Sequence, residues 1–192
     1  MRVVCLISGD GSNLQALIDC QIKGLLGDAE IVGVVSNKAQ AFGLERAKRA
    51  NIATTVLSHE RYPDRCQFDR ALISVIDNYE ADLIVLAGFM RILTAQFVNH
   101  YANRLVNVHP SLLPKYKGLN THRRAIEAGD SAAGATVHWV IEELDSGGII
   151  RQAEVPIYAH DSEESLRQRV LEAEHSLYPA VIRDLSLGVV AC

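Results

Sequence analysis

"RVVCLISGDGSNLQALI" (residues 2–18) is the stretch that decides the fold. The apolar run 2–8 reads as a strand, and it stops at "SGDGSN" (8–13), where glycines break the pattern. Helical spacing then takes over in "NLQALIDCQIKGLL" (13–26). A strand turning directly into a helix is the first unit of a β-α-β alternation, which continues downstream. "EIVGVVS" (30–36) and "ATTVL" (53–57) read as strands, each followed by a helical pattern at 41–50 and 66–79. "DLIVLAG" (82–88) is a continuous apolar run, as expected of a strand buried on both faces of a parallel sheet. A helix at about 94–102 leads to the strand "LVNVH" (105–109). The expected fold is therefore α/β, a Rossmann-like, doubly wound and mostly parallel sheet with right-handed crossovers.

The remainder changes character. "GATVHWVIEEL" (134–144) and "IIRQAEVPIYA" (149–159) read as two longer strands around the turn "DSGG" (145–148), which predicts an antiparallel C-terminal portion. A last helix is expected from "DSEESL" to about Leu185, with Asp161 as cap, Glu164 reaching back to it, and a break allowed at Pro179. No repeat, low-complexity segment or linker divides the chain, so a single domain spanning 1–192 is expected.

Composition narrows the function. With 48% hydrophobic and 22% charged residues, the 192-residue chain has the balance of a globular domain rather than a disordered one. No apolar run reaches the roughly 20 residues of a membrane helix, and the start does not read as a signal peptide. Cys5, Cys20, Cys66 and Cys192 are scattered without paired spacing, a pattern that fits reduced thiols and a cytoplasmic location. A net charge of −4 leaves no footprint for nucleic acid, which points to small-molecule partners.

Two places carry candidate chemistry. The glycine loop 8–13 faces the ligand crevice in such a sheet, and free N–H groups at a helix start favour an anion. It matches neither the dinucleotide pattern nor a P-loop, and a tight turn capped by Ser12 or Asn13 explains it equally well. In "LVNVHPSLLPKYKG" (105–118), Asn107 and His109 share one strand face, since side chains alternate. An amide and an imidazole there can donate to a developing oxyanion or move a proton. Alternatively both satisfy the adjoining loop. Asp145, in "EELDSGG", would favour the protonated imidazole if the fold brought it near, although Asp before glycines is common in plain turns. The seven histidines (59, 100, 109, 122, 138, 160, 175) show no metal-ligand spacing, no serine sits in a nucleophile elbow, and "HRR" (122–124) reads as a solvated loop or helix start.

Seven blocks occur in order along nearly the whole chain: "ISGDGSNLQALI", "SNKAQAFGLERA", "LAGFMRIL", "NVHPSLLPKYKG", "HRRAIEAGD", "GATVH" and "ELDSGG". In that order they resemble the phosphoribosylglycinamide formyltransferase family, folate-dependent enzymes of purine (IMP) biosynthesis. The resemblance implies transfer of a formyl group from 10-formyltetrahydrofolate to glycinamide ribonucleotide, with no metal and with Asn107, His109 and Asp145 as the catalytic set. It implies nucleotide contacts at Gly11, Ser12, Asn13 and Glu174, the phosphate resting on the glycine loop. It implies a folate wall of Arg65, Met90, Arg91, Ile92, Leu93, Val140, Ile141 and Leu144, together with Asn107 and Asp145. On this reading a nucleotide-binding half covers about 1–104 and a folate and catalytic half about 105–192, in a monomer or homodimer.

Three positions depart from the family pattern. Asp10 would repel a phosphate unless it points outward, and Lys117 and Asn120 stand where Pro and His are frequent. The proton that leaves the attacking amine could pass through Asp145, a water or His109. A formyltetrahydrofolate hydrolase is the nearest alternative but usually carries a regulatory domain for which this chain has no room. A tRNA formyltransferase would be longer and more basic. A non-catalytic nucleotide-binding module is the rival from another class.

Overall fold

The computed structural model describes residues 1–190, and Cys192 lies outside them. The strands are β1 (Arg2–Ile7), β2 (Glu30–Ser36), β3 (Thr54–Val56), β4 (Leu83–Leu86), β5 (Leu105–His109), β6 (Ala132–Trp139) and β7 (Ile149–Pro156). The helices are α1 (Ser12–Ile22), α2 (Phe42–Arg49), α3 (Arg65–Asp77), α4 (Ala95–His100), α5 (Thr121–Glu127) and α6 (Glu163–Ser186). The strands form one sheet in the order β3-β2-β1-β4-β5-β6-β7, parallel from β3 through β5 and antiparallel at β6 and β7. This is the doubly wound architecture with an antiparallel C-terminal portion that the alternation predicts.

Period-two alternation explains why β1 is apolar throughout. Val3, Cys5 and Ile7 enter one core with α1, α2 and α6, while Val4 and Leu6 enter the other with α3 and α4. The Cys5 thiol is fully buried, and burial pushes its pKa up to about 12, so it packs as a neutral apolar group. Cys20 and Cys66 are also free thiols. No helix among the described residues is long and apolar enough to cross a membrane.

Several boundaries differ from the sequence pattern for identifiable reasons. Helix α1 stops at Ile22 rather than 26, because Gly24 and Gly27 both adopt positive φ. Strand β6 stops at Trp139 rather than 144, and β7 at Pro156 rather than 159. The run Val140–Leu144 is therefore loop, and Val140 makes a single backbone bond to Leu105. "HRR" lies in the first turn of helix α5, the helix start that is one of its two readings. The cap of α6 is Ser162 with Ser165, a reciprocal pair of short hydroxyls, while Asp161 instead pairs with Arg169 and Glu164 with Arg167. Pro179 does not break α6. It lies in the last third of the helix, fully packed, where the core outweighs one lost backbone bond.

Glycine is required where β6 meets β7. A Cβ at Gly134 would run into the Ala153 carbonyl oxygen of the neighbouring strand and lie 2.7 Å from Leu112 Cδ2. Backbone cannot yield as a side-chain tip can. Gly134→Ala is expected to cost about 2–3 kcal/mol. Urea unfolding checks this, and an unchanged midpoint would show that the strands separate freely.

Candidate active site

The winding direction reverses between β1 and β4, so the loops after these two strands part and leave a crevice at their carboxyl ends. One hydroxyl ties the two loops together. Ser8 Oγ accepts the Met90 N–H at 2.8 Å and donates to Asn37 Oδ1 at 2.6 Å, while the Ser8 N–H donates to Gly88 O at 3.1 Å.

On the β1 side, Gly11 is the residue before helix α1 and sits at φ 76°, and no side chain caps the helix. Neither Ser12 nor Asn13 serves as the cap that the local pattern allows, so the first N–H groups are not taken by a side-chain oxygen. A Cβ at Gly11 would lie 2.7 Å from Gly43 Cα, a close approach that only glycine permits. Asp10 points outward, 66% exposed, and pairs with Arg46 at 3.0 Å. Arg46 Nε also donates to the Asp10 carbonyl at 2.9 Å, so one guanidinium both neutralises the carboxylate and braces the loop. Beneath the loop, Asn13 Nδ2 donates to Glu174 Oε2 at 2.7 Å, and Asn13 Oδ1 is buried without a donor among the described residues. Burial raises the Glu174 pKa to about 7, against the opposing effect of the Asn13 bond. One turn on, Tyr178 OH reaches the Leu86 and Val106 carbonyls at 3.1 Å each and anchors α6 beneath β4 and β5.

On the other side, β5 pairs Asn107 with Leu86 of β4 and with His138 of β6. The loop after β6 carries Asp145 back to the end of β5, where its Oδ2 lies 3.4 Å from His109 Nδ1, both side chains 8% exposed. Asp145 Oδ2 also accepts the Gly118 N–H at 2.9 Å, and His109 Nε2 lies 2.9 Å from the Tyr116 carbonyl. Both ring nitrogens of His109 thus face oxygen atoms. Asn107 Nδ2 lies 3.3 Å from His138 Nε2, and His138 Nδ1 lies 2.8 Å from the Trp139 carbonyl. His138 Nε2 is 3.8 Å from Asp145 Oδ1, yet burial lowers the His138 pKa and holds the ring neutral, so this contact is not an ion pair.

The remaining predicted residues divide in two groups. Met90 and Ile92 are exposed on the loop after β4, with Arg91 and Leu93 half-buried between and beside them. Ile141 and Leu144 are exposed on the loop after β6. Leu93 and Val140 pack on the same core, which draws the two loops together. Asp69 Oδ2, buried on α3, accepts the Thr94 N–H at 2.6 Å and holds the end of the first loop. Arg65 stands apart, exposed at the first position of α3, and its side chain makes no hydrogen bond or ion pair among the described residues. No cluster of metal-ligating side chains occurs among the described residues.

The sequence profile of the formyl transferase family matches residues 1–182. The chain belongs to the formyl transferase family. Within that family it is 55% identical over 183 residues to phosphoribosylglycinamide formyltransferase of Escherichia coli K12, covering 95% of this chain and 85% of that protein. The phosphoribosylglycinamide formyltransferase structure from Coxiella burnetii, in complex with CHES, superposes with a TM-score of 0.94 at 49% identity, covering 98% of this chain and 88% of that one. The chain also matches the trifunctional purine biosynthetic protein adenosine-3 of Chironomus tentans, 51% identical over 98% of this chain but only 14% of that protein.

Several groups of this candidate site escape sequence reasoning. The Tyr116 carbonyl and the Gly118 N–H are main-chain groups without a side-chain signal. Arg46 sits in an ordinary basic helix. His138 alone left a trace, because Thr136 and His138 put polar groups on one face of an otherwise apolar strand.

Glu174 yields a prediction with a definite sign. Its folded pKa, about 7, exceeds the ordinary carboxyl value of 4.5, so stability carried by the neutral form is full below pH 4.5 and lost as pH rises through 7. Wild type should lose about 3 kcal/mol relative to Glu174→Gln across that window, and the difference should then stay constant at higher pH. Denaturant titrations at several pH values test this, and a difference unchanged across the window would place the Glu174 carboxyl in a wetter environment.

Proposed function

We propose that this chain transfers the formyl group of 10-formyltetrahydrofolate to the amino group of glycinamide ribonucleotide, giving formylglycinamide ribonucleotide and tetrahydrofolate in purine biosynthesis. The observation that carries the reading is the His109–Asp145 pair with Asn107 beside it, in a chain of this family. The amine nitrogen attacks the formyl carbon, the carbon–nitrogen bond to the folate breaks, and the amine proton passes to the folate nitrogen. Negative charge collects meanwhile on the formyl oxygen. Asn107 Nδ2–H and a His109 N–H donate to it, and the oxyanion takes the place on Nε2 that the Tyr116 carbonyl holds here. Asp145 keeps His109 doubly protonated and oriented. The helix start at Gly11–Asn13 binds the phosphate, and Asn13 Oδ1 and Glu174 accept from the nucleotide. The folate lies between the Met90–Leu93 loop and the Val140–Leu144 loop, with Arg65 at the start of α3 as a further part of that wall. The whole chain acts as one domain, in the cytoplasm, as a monomer or homodimer, with no metal.

Asp145→Asn isolates the carboxylate charge. Asp145 adopts φ 48°, a conformation that Asn tolerates, so the variant should fold. Turnover, followed by folate absorbance with glycinamide ribonucleotide as acceptor, should fall by about 10²-fold or more, with nucleotide KM changed little. Wild-type turnover in Asp145→Asn would defeat the assignment. Release of formate at the same rate without acceptor would make the chain a hydrolase instead.

A further inference from the structure

The Asn107 amide can face its surroundings in two ways, differing by exchange of Oδ1 and Nδ2. Only one presents a donor to a formyl oxygen. The other would set a carbonyl oxygen against developing negative charge, so catalysis by Asn107 requires that something choose between them.

His138 makes that choice. It lies directly opposite Asn107 across the antiparallel pair and is 2% exposed. Its Nδ1 is 2.8 Å from the Trp139 carbonyl, an oxygen that can only accept, so Nδ1 carries the proton. Burial disfavours a second proton, and the ring's Nε2 is left as a lone pair facing the amide at 3.3 Å. A lone pair selects N–H over oxygen. A flipped amide would put two acceptors in contact in a buried site, at the cost of an unsatisfied polar pair.

We propose that His138 is a positioning residue, fixed as its Nδ1–H tautomer by the Trp139 carbonyl, which orients the Asn107 amide so that Nδ2 gives one hydrogen to His138 and the other to the formyl oxygen. This rests on Asn107 being an oxyanion donor, as the proposed function has it. His138 touches neither substrate and acts through the amide alone. The bulge in β6–β7 pairing between Val137 and His138 gives the ring its place, since the ladder is interrupted where the side chain must turn toward β5.

The role predicts a kinetic pattern that loss of packing would not produce. His138→Phe keeps a ring of similar size and removes the acceptor. It should lower kcat by about 10–100-fold, with each KM within about threefold, since the lost interaction belongs to the transition state. In an Asn107→Ala background the same change should cost less than about threefold, because two residues that work as one unit are not additive. His138→Gln, which restores an acceptor oxygen, should recover part of the loss. Nitrogen–proton correlation NMR of the unaltered protein near pH 7.5 should show His138 protonated at Nδ1 and bare at Nε2. An Nε2–H tautomer or a charged ring overturns the proposal, and that reading needs no variant to fold. Full additivity of His138→Phe on a slow Asn107→Ala enzyme also overturns it, while leaving the active-site reading intact. Wild-type turnover in Asn107→Ala removes the oxyanion role itself and this inference with it.

Discussion

The antiparallel register of β6 on β5 is the constraint on which the site depends. It sets Asn107 against His138 and ends β6 one residue later, at Trp139. From there the loop doubles back and delivers Asp145 to His109. Because side chains alternate, a one-residue slip would turn His138 to the opposite face and shift the start of that loop. The register is held by apolar burial of Val137 and Ala135 on the other face, so core packing and the geometry of the candidate site are enforced by the same strand.

Buried titratable side chains among the described residues differ in how many polar partners surround them. His109 and Asp145 are almost fully enclosed, and each has a main-chain partner besides the other: the Tyr116 carbonyl and the Gly118 N–H. Removing polar groups from water is costly unless such bonds replace the lost hydration. Both partners come from one loop, 110–118, which therefore completes the electrostatics of β5 as well as covering it. Glu174 shows the contrary case. It has one partner, Asn13, and burial moves it toward the neutral form.

The two sides of the crevice are not independent. Ser8 begins the glycine loop and its hydroxyl holds the Met90 N–H, so the proposed phosphate loop and the proposed folate wall share a buried joint. Tyr178 does the same from below, reaching carbonyls of both β4 and β5 from a helix that also carries Glu174. The geometry of one proposed subsite is thereby tied to that of the other through hydrogen bonds.

The sequence by itself determined what local patterns encode. Strand and helix order, the double winding, the antiparallel end and the glycine turn all follow from periodicity and chain stiffness over a few residues. So did the placing of Asn107 and His109 on one face, a consequence of two-residue alternation. What it left open was every contact across long separations. Whether Asp145 meets His109, 36 positions before it in number but neighbours in space, could be suggested by resemblance and not by spacing. Local patterns also overextended β6 to residue 144, since apolar residues continue past Trp139 although Ile141 and Leu144 are exposed. Only the tertiary structure decided that Arg46 neutralises Asp10, that main-chain groups of the 110–118 loop complete the His109–Asp145 pair, and that His138 faces the Asn107 amide. The physical reason is common to all three: hydrogen bonds act within about 3 Å in space, and only the packed sheet determines which distant residues come that close.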